Sequence, residues 1–143
     1  MKKYQGKSVS EGIAIGKLRV YSGEQRIIEK RRTEDVDREL GRFEDARASV
    51  ALELSQLYQE TARKAGDQVA AIFQGHSLIL QDEVVIDFIR EMIRTQKVDA
   101  ESAVAAAGEK FAGAFEQLDD PYFKERAADV KDVKERALRK LRG

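Results

Sequence analysis

The chain has 143 residues, enough for one domain with a packed core, and it contains one proline and no cysteine. The missing cysteine excludes disulfides and thiolate metal sites in this sequence. Lysine plus arginine and aspartate plus glutamate each number 26, and this zero formal net charge argues against bulk electrostatic binding of nucleic acid. No apolar run approaches the length of a membrane span, and the basic start is not followed by a secretory signal. We therefore expect a cytoplasmic protein that binds neither nucleic acid nor membranes.

The first 32 residues differ in composition and residue pattern from the rest of the chain. They contain glycines at positions 6, 12, 16 and 23 among short β-branched and aromatic stretches. Residues 12–21, Gly-Ile-Ala-Ile-Gly-Lys-Leu-Arg-Val-Tyr, alternate well enough to predict a β-strand, and a shorter strand is predicted near residues 4–9. Two strands alone are marginal in water, and no later segment is a strand candidate of similar quality. The sequence therefore predicts a short N-terminal β-segment that needs a sheet from elsewhere.

From Thr33 onward the pattern is helical. Thr33 is the predicted N-cap, with two acids after it near the positive end of the helix dipole. Apolar residues then follow at steps of three or four, as on one face of a long helix or of two helices in line: Val36, Leu40, Phe43, Ala46, Val50, Leu54 and Leu57. Gly41 is a weak point that would mark a bend, and Gly66 is predicted to end this segment.

The remaining helices are predicted from their apolar stripes and from the residues that typically begin a helix. One stripe runs from Val69 to Leu80, a short one follows Asp82, and a third begins after Asp99. The pair Asp120-Pro121 is a strong start signal for the last helix, which reaches Leu141. Because the connections are short, neighbouring helices should run antiparallel. The fold class is therefore predicted to be mainly α: residues 33–143 form an antiparallel four-helix bundle of two helical hairpins, preceded by a short β-segment.

The residue types and their spacing indicate no catalytic or metal site. His76 is the single histidine, so a metal site with nitrogen or sulfur ligands lacks partners, and its place on the apolar side of a helix indicates a core or boundary position. The paired acids at residues 82–83 and 119–120 are interpreted as helix-end charges, and the charged tail at residues 131–142 as a solvated helix face. Gly12-Ile-Ala-Ile-Gly16 does not match the dinucleotide-binding fingerprint.

Three segments, in order and with matching spacing, carry a resemblance over essentially the whole chain: Ser8–Lys17, Ala71–Glu83 and Leu118–Val133. The last contains Glu-Arg-Ala-Ala-Asp-Val, which is not a generic amphipathic string. Together they resemble the N-terminal part of enzyme I, the phosphoenolpyruvate-protein phosphotransferase of the sugar phosphotransferase system. Members of this family take a phosphoryl group from phosphoenolpyruvate onto their own histidine and pass it to the carrier protein HPr.

The resemblance implies how the chain is divided and what it lacks. Residues 33–143 would be the helical HPr-binding domain, and residues 1–32 the first strands of an incomplete phosphohistidine α/β domain. The family's Gly-Gly-x-Thr/Ser-Ser/Cys-His stretch with the phosphorylated histidine is absent, and so is the barrel that binds phosphoenolpyruvate and magnesium. We therefore expect a truncated module, inactive alone, with no catalytic residue, metal or cofactor, whose partners are HPr and the remainder of enzyme I. Its opening strands would be poorly ordered, fold onto the bundle, or pair with another chain in strand-mediated self-association.

The resemblance also implies which residues would bind HPr, through an apolar centre ringed by charge. Carried over by position, the candidates are Asp67, Gln68, Ala71, Ile72, His76, Leu78, Ile79, Asp82, Glu83, Val85, Phe111, Phe115, Phe123 and Arg126. For each apolar one, burial in the bundle core is an equal alternative. Gln68, Gln74 and Val84 stand where family members often carry glutamates, so the surface would be less acidic than usual. Two other functions remain open: an enzyme I paralogue of a nitrogen-regulatory phosphorelay, and an unrelated helical scaffold or oligomerisation module.

Overall fold

Five α-helices follow one another in the computed structural model, which describes residues 32–143. They are α1 (Val36–Ala65), α2 (Asp67–Leu80), α3 (Glu83–Gln96), α4 (Ala100–Glu116) and α5 (Pro121–Arg142). The helices that the apolar stripes predict are thus confirmed. The strands predicted near residues 4–9 and 12–21, and the self-association expected from them, lie outside the described residues. The domain boundary placed after residue 32 stays a prediction.

Aspartates begin four of the five helices. The side chains of Asp35, Asp82, Asp99 and Asp120 each accept a hydrogen bond from a backbone N–H in the first turn that follows, which satisfies donors that have no partner inside the helix. Thr33 was the predicted cap of α1, and this prediction is wrong by two residues. Its hydroxyl accepts from the N–H of Asp35 (3.1 Å), while Asp35 itself caps the helix by accepting from the N–H of Arg38 (3.0 Å).

One glycine breaks the helical path and another does not. Gly66 adopts φ +98°, a region that favours glycine, and it ends α1 and begins α2 as a single connecting residue. Gly41 lies inside α1, which continues uninterrupted for 30 residues. A lone exposed glycine costs only about 1 kcal/mol relative to alanine, which is small against the packing of a long helix. Between α2 and α3 the chain bends by 44° at Gln81 and Asp82.

The helices pack most extensively as the pairs α1–α2 and α4–α5, and α3 closes the bundle mainly against α4. This arrangement agrees with two hairpins, the second helix of the first hairpin being continued by α3. The main core is built on the fully buried Val50, Leu54 and Ile93, together with a layer of alanines from α4. A smaller core of Ala112, Ala127 and Val130 lies between α4 and α5.

No single helix in residues 32–143 is long and apolar enough to cross a membrane. By length and composition alone, α2 and α3 pass that test as a pair, across the 44° bend between them.

Candidate functional site

The outward side of α2 exposes large apolar side chains. Ile72 is 52% exposed and Leu78 is 67% exposed, and Ala71 beside them is exposed as well. Successive helical residues are 100° apart, so Ala71, Gly75 and Leu78 follow one another on the same side of α2. Single exposed apolar residues are ordinary, whereas several on one side of one helix indicate an interaction surface.

Aromatic rings gather where α4 ends and α5 begins. The rings of Phe115 and Phe123 stack with their centroids 5.9 Å apart, and Tyr122 meets Phe123 edge to face at 5.0 Å. Such pairs add to the stability that burial alone provides, and they hold the rings in fixed orientations. Phe115 also packs on the small core between α4 and α5. We call Phe115, Tyr122 and Phe123 the aromatic cluster.

Arg126 connects the aromatic cluster to α2. Its guanidinium lies over the Tyr122 ring, 5.6 Å from the centroid, which is a cation–π distance. Its Nη1 is 3.5 Å from the place that a Cβ on Gly75 would occupy, which is an ordinary van der Waals distance, so the guanidinium lies close against α2. The pKa of Arg126 is raised, first by hydrogen bonding with Tyr122 and then by the charges of Asp129 and Glu125. The cluster therefore holds a permanent positive charge.

His76 lies beneath this surface, with only 4% of the residue exposed. Its Nε2 is 3.1 Å from Oδ1 of Asp129, and since a carboxylate can only accept, the imidazole donates this hydrogen bond. Its Nδ1 lies 3.2 Å from Oδ2 of Asp132 but is not aligned for a hydrogen bond. The burial of His76 agrees with the interpretation of its spacing as a core or boundary position, although its Nδ1 has no hydrogen-bond partner.

The structure separates the candidate residues by burial. Exposed are Asp67, Gln68, Ala71, Ile72, Leu78, Asp82 and Glu83; half-buried are Ile79, Val85, Phe111, Phe115, Phe123 and Arg126; His76 is buried. The half-buried Val85 and Phe111 pack against the main core, and Phe111 meets Phe88 edge to face at 5.7 Å. Asp82 is occupied as the cap of α3, accepting from the N–H of Val84 at 2.8 Å.

As a candidate for protein binding we define one surface, named the docking surface: Ala71, Ile72, Gly75 and Leu78 of α2 together with the aromatic cluster and Arg126. Two residues of this surface, Gly75 and Tyr122, were not among the candidates from the sequence. Asp129, which lies below the surface, was not among them either. Each had a signal in the sequence, because Gly75 lies on the same side of α2 as Ala71, Tyr122 precedes a candidate aromatic, and Asp129 follows Arg126 by three residues.

In residues 32–143 no three His, Asp or Glu side chains gather as metal ligands. What the docking surface offers is shape, apolar area and charge, which suit the binding of another protein.

Comparison with known proteins assigns the chain to a class. It belongs to the family of PEP-utilising enzymes, whose N-terminal domain matches residues 5–126. The phosphoenolpyruvate-protein phosphotransferase of Listeria monocytogenes is 38% identical over 142 residues, and that of Mycoplasma capricolum is 36% identical over the same length. These matches include 99% of this chain and 25% of each relative, so the chain spans about a quarter of their length.

Two solved structures share the fold. An NMR solution structure of an enzyme I protein has a TM-score of 0.77 and 31% identity, covering 81% of this chain and 48% of its own. An N-terminal domain of "Enzyme 1 - Nitrogen" has a TM-score of 0.74 and 31% identity, and the match covers 80% of this chain and 48% of that domain's chain. The resemblance to enzyme I is thereby confirmed, and an unrelated helical scaffold is not favoured.

Proposed function

We propose that this chain is the part of enzyme I that docks the carrier protein HPr in a cytoplasmic phosphorelay. The remainder of the enzyme would supply the phosphorylated histidine and the binding of phosphoenolpyruvate and magnesium. The observation that carries the proposal is the exposed apolar side of α2, lying beside the aromatic cluster and bordered by carboxylates.

The charges near the docking surface suit a basic partner. Asp67 lies at the start of α2, and Asp82 and Glu83 lie at the bend that follows it; all three are exposed. Arg126 is the positive group among the candidate residues. Exposed charges of one sign speed the encounter with an oppositely charged protein, while a small apolar centre fixes the orientation of the complex. This combination suits a transient complex, as a carrier that must leave again requires.

The contribution of such a domain to phosphoryl transfer is positional. A docked carrier has its acceptor side chain held close to the donor histidine, which converts an encounter between two proteins into a local reaction. None of the chemistry would then fall to the residues of this chain.

A titration with matched lysine variants tests the proposal. Isotope-labelled HPr is titrated with the 143-residue chain and followed by NMR, comparing Leu78→Lys with Leu52→Lys. Leu52 is a good control because it is 61% exposed on α1, outside the candidate residues. We expect Leu78→Lys to weaken binding at least about tenfold, because it removes an apolar contact and adds a repelling charge, and Leu52→Lys to change it less than about twofold.

Salt and carrier choice add two further outcomes. Binding should weaken as salt rises, since exposed charges contribute to it. Carriers of the sugar and the nitrogen branches are titrated in parallel, and the tighter one identifies the branch. Unchanged HPr spectra at millimolar concentrations of the folded chain, or equal losses in the two lysine variants, would refute docking on this surface.

A further inference from the structure

Five charged side chains and the His76 imidazole, from three helices, form a chain of contacts across the interface of α1, α2 and α5. Consecutive members lie within 3.6 Å of each other, in the order Arg126, Asp129, His76, Asp132, Arg136 and Glu53. His76 is the contribution of α2, and it stands at the middle, where the contacts pass below the surface. A chain of this kind links the orientation of an exposed group to that of a buried one.

The buried end of this chain is well fixed. The His76 imidazole is held by the hydrogen bond from Nε2 to Asp129, and it meets the Phe73 ring edge to face at 6.1 Å. A hydrogen bond to a charged acceptor is stronger than one between neutral groups. The Oδ1 atom of Asp129 therefore has a set position, which fixes the direction in which its other oxygen points.

That other oxygen faces the docking surface. Oδ2 of Asp129 is 3.6 Å from Nη1 of Arg126, on the same guanidinium that covers the Tyr122 ring and approaches Gly75. An arginine on the first turns of a helix has many rotamers, and fixing it costs side-chain entropy. Here the counter-ion, Asp129, is itself held in place by His76. The side-chain entropy of Arg126 is therefore already lost before any partner binds.

We propose that His76 is a positioning residue of the docking surface: through Asp129 it holds the Arg126 guanidinium over α2 at Gly75. The guanidinium is then preset to donate to an oxygen acceptor on the docked protein, either a carbonyl or a carboxylate. This second step rests on the proposed docking function, whereas the positioning of Arg126 does not.

The first readout needs no partner. The Nε–Hε signal of Arg126 and its heteronuclear NOE are measured by NMR in the complete chain and in three variants. His76→Leu keeps the size of the side chain but removes the donor, and Asp129→Asn removes the attracting charge. Both should make the Arg126 side chain more mobile and shift its signal towards that of a free arginine. His76→Gln retains an N–H that reaches Asp129 and should keep the Arg126 signal near its original place.

The second readout is the affinity for HPr. We expect His76→Leu to weaken binding about five- to tenfold, as Arg126→Ala does, which lies within the range expected from losing one hydrogen bond of ordinary strength. Combining the two changes should cost no more than either alone, since both remove the same contact. His76→Gln should restore most of the affinity.

The outcomes separate the two steps. An Arg126 signal that is unchanged in folded His76→Leu or Asp129→Asn overturns the positioning of Arg126, whatever HPr does. If His76→Leu fails to fold, Asp129→Asn decides alone. Mobile Arg126 with unchanged affinity, or additive losses in the double variant, overturns the presetting of the docking contact. Absence of HPr binding by the original chain contradicts the proposed function and leaves the Arg126 measurement to decide the positioning role.

Discussion

Replacing Glu39 by alanine is expected to lower the free energy of unfolding by about 3 kcal/mol, because it leaves buried groups without partners. Glu39 is only 3% exposed, and its Oε1 accepts from the N–H of Ala100 (2.8 Å) and from Arg42 (2.8 Å). Ala100 is the first residue of α4 and is fully buried, so its N–H would have no water to replace the lost acceptor. The single carboxylate thus joins α1 to the start of α4.

Arg42 extends this junction to α5. Its guanidinium donates to both carboxylate oxygens of Glu101 (2.9 and 2.8 Å) and to the carbonyl of Leu141 near the end of α5 (3.0 Å). The pKa of Arg42 is raised by hydrogen bonding, first to Glu101 and then to Glu39, so the group remains charged. Removal of Glu39 would leave Arg42 with one counter-ion instead of two, which adds to the loss.

Two control variants make the Glu39 measurement specific. Glu60 lies on the same helix in an exposed pair with Lys64, and Glu60→Ala should cost less than about 0.5 kcal/mol. Glu39→Gln keeps an acceptor for the Ala100 N–H but loses its charge, so its cost should be intermediate. Urea unfolding followed by circular dichroism measures all three. A loss in Glu39→Ala no greater than that in Glu60→Ala would mean that the hydrogen bond to Ala100 is absent in solution.

The sequence contains part of this information. Glu39 falls three residues after Val36 and four before Phe43, so it lies on the inward side of the predicted helix, a position at which an acid is unexpected. Its partner Ala100 could not be deduced, because the two residues are 61 positions apart in the sequence and meet only through tertiary packing. Caps and apolar stripes are local signals, and they predicted the helices for that reason.

The candidate site was harder to predict from the sequence, because α2 is apolar on most sides. Val69, Ala70, Ile72 and Leu80 all read as apolar, yet Ala70 and Leu80 are buried while Val69 and Ile72 are exposed. Which side is covered depends on where α1 and α5 pack, and no local pattern states that. The resemblance supplied Arg126, but the support of its charge by His76 and Asp129 required coordinates from two helices.

The other large effect is expected at Gly108, where alanine should destabilise the domain by about 2 kcal/mol through overpacking. A Cβ at this position would overlap Cδ of Lys134, and would lie 2.8 Å from its Cγ and 3.1 Å from its Cβ. Lys134 is 9% exposed on α5, and its ammonium is 3.9 Å from Glu109 and 3.6 Å from Glu135. Cγ and Cδ make the closest approaches, so Lys134 must leave its buried rotamer, and the contact with Cβ requires α4 and α5 to shift by a few tenths of an ångström as well.

Gly41→Ala is the matched control, and its effect should have the opposite sign. Gly41 also lies inside a helix, and a Cβ there would meet nothing within 4 Å, so alanine should stabilise the domain by about 0.5–1 kcal/mol. The overlap at Gly108 has one partner, so Gly108→Ala in a Lys134→Ala background should lose most of its cost. Urea midpoints of the four variants decide the matter. If Gly108→Ala stabilises the original chain as Gly41→Ala does, Lys134 leaves the α4–α5 interface in solution and the two helices are not held at the distance that the structure gives.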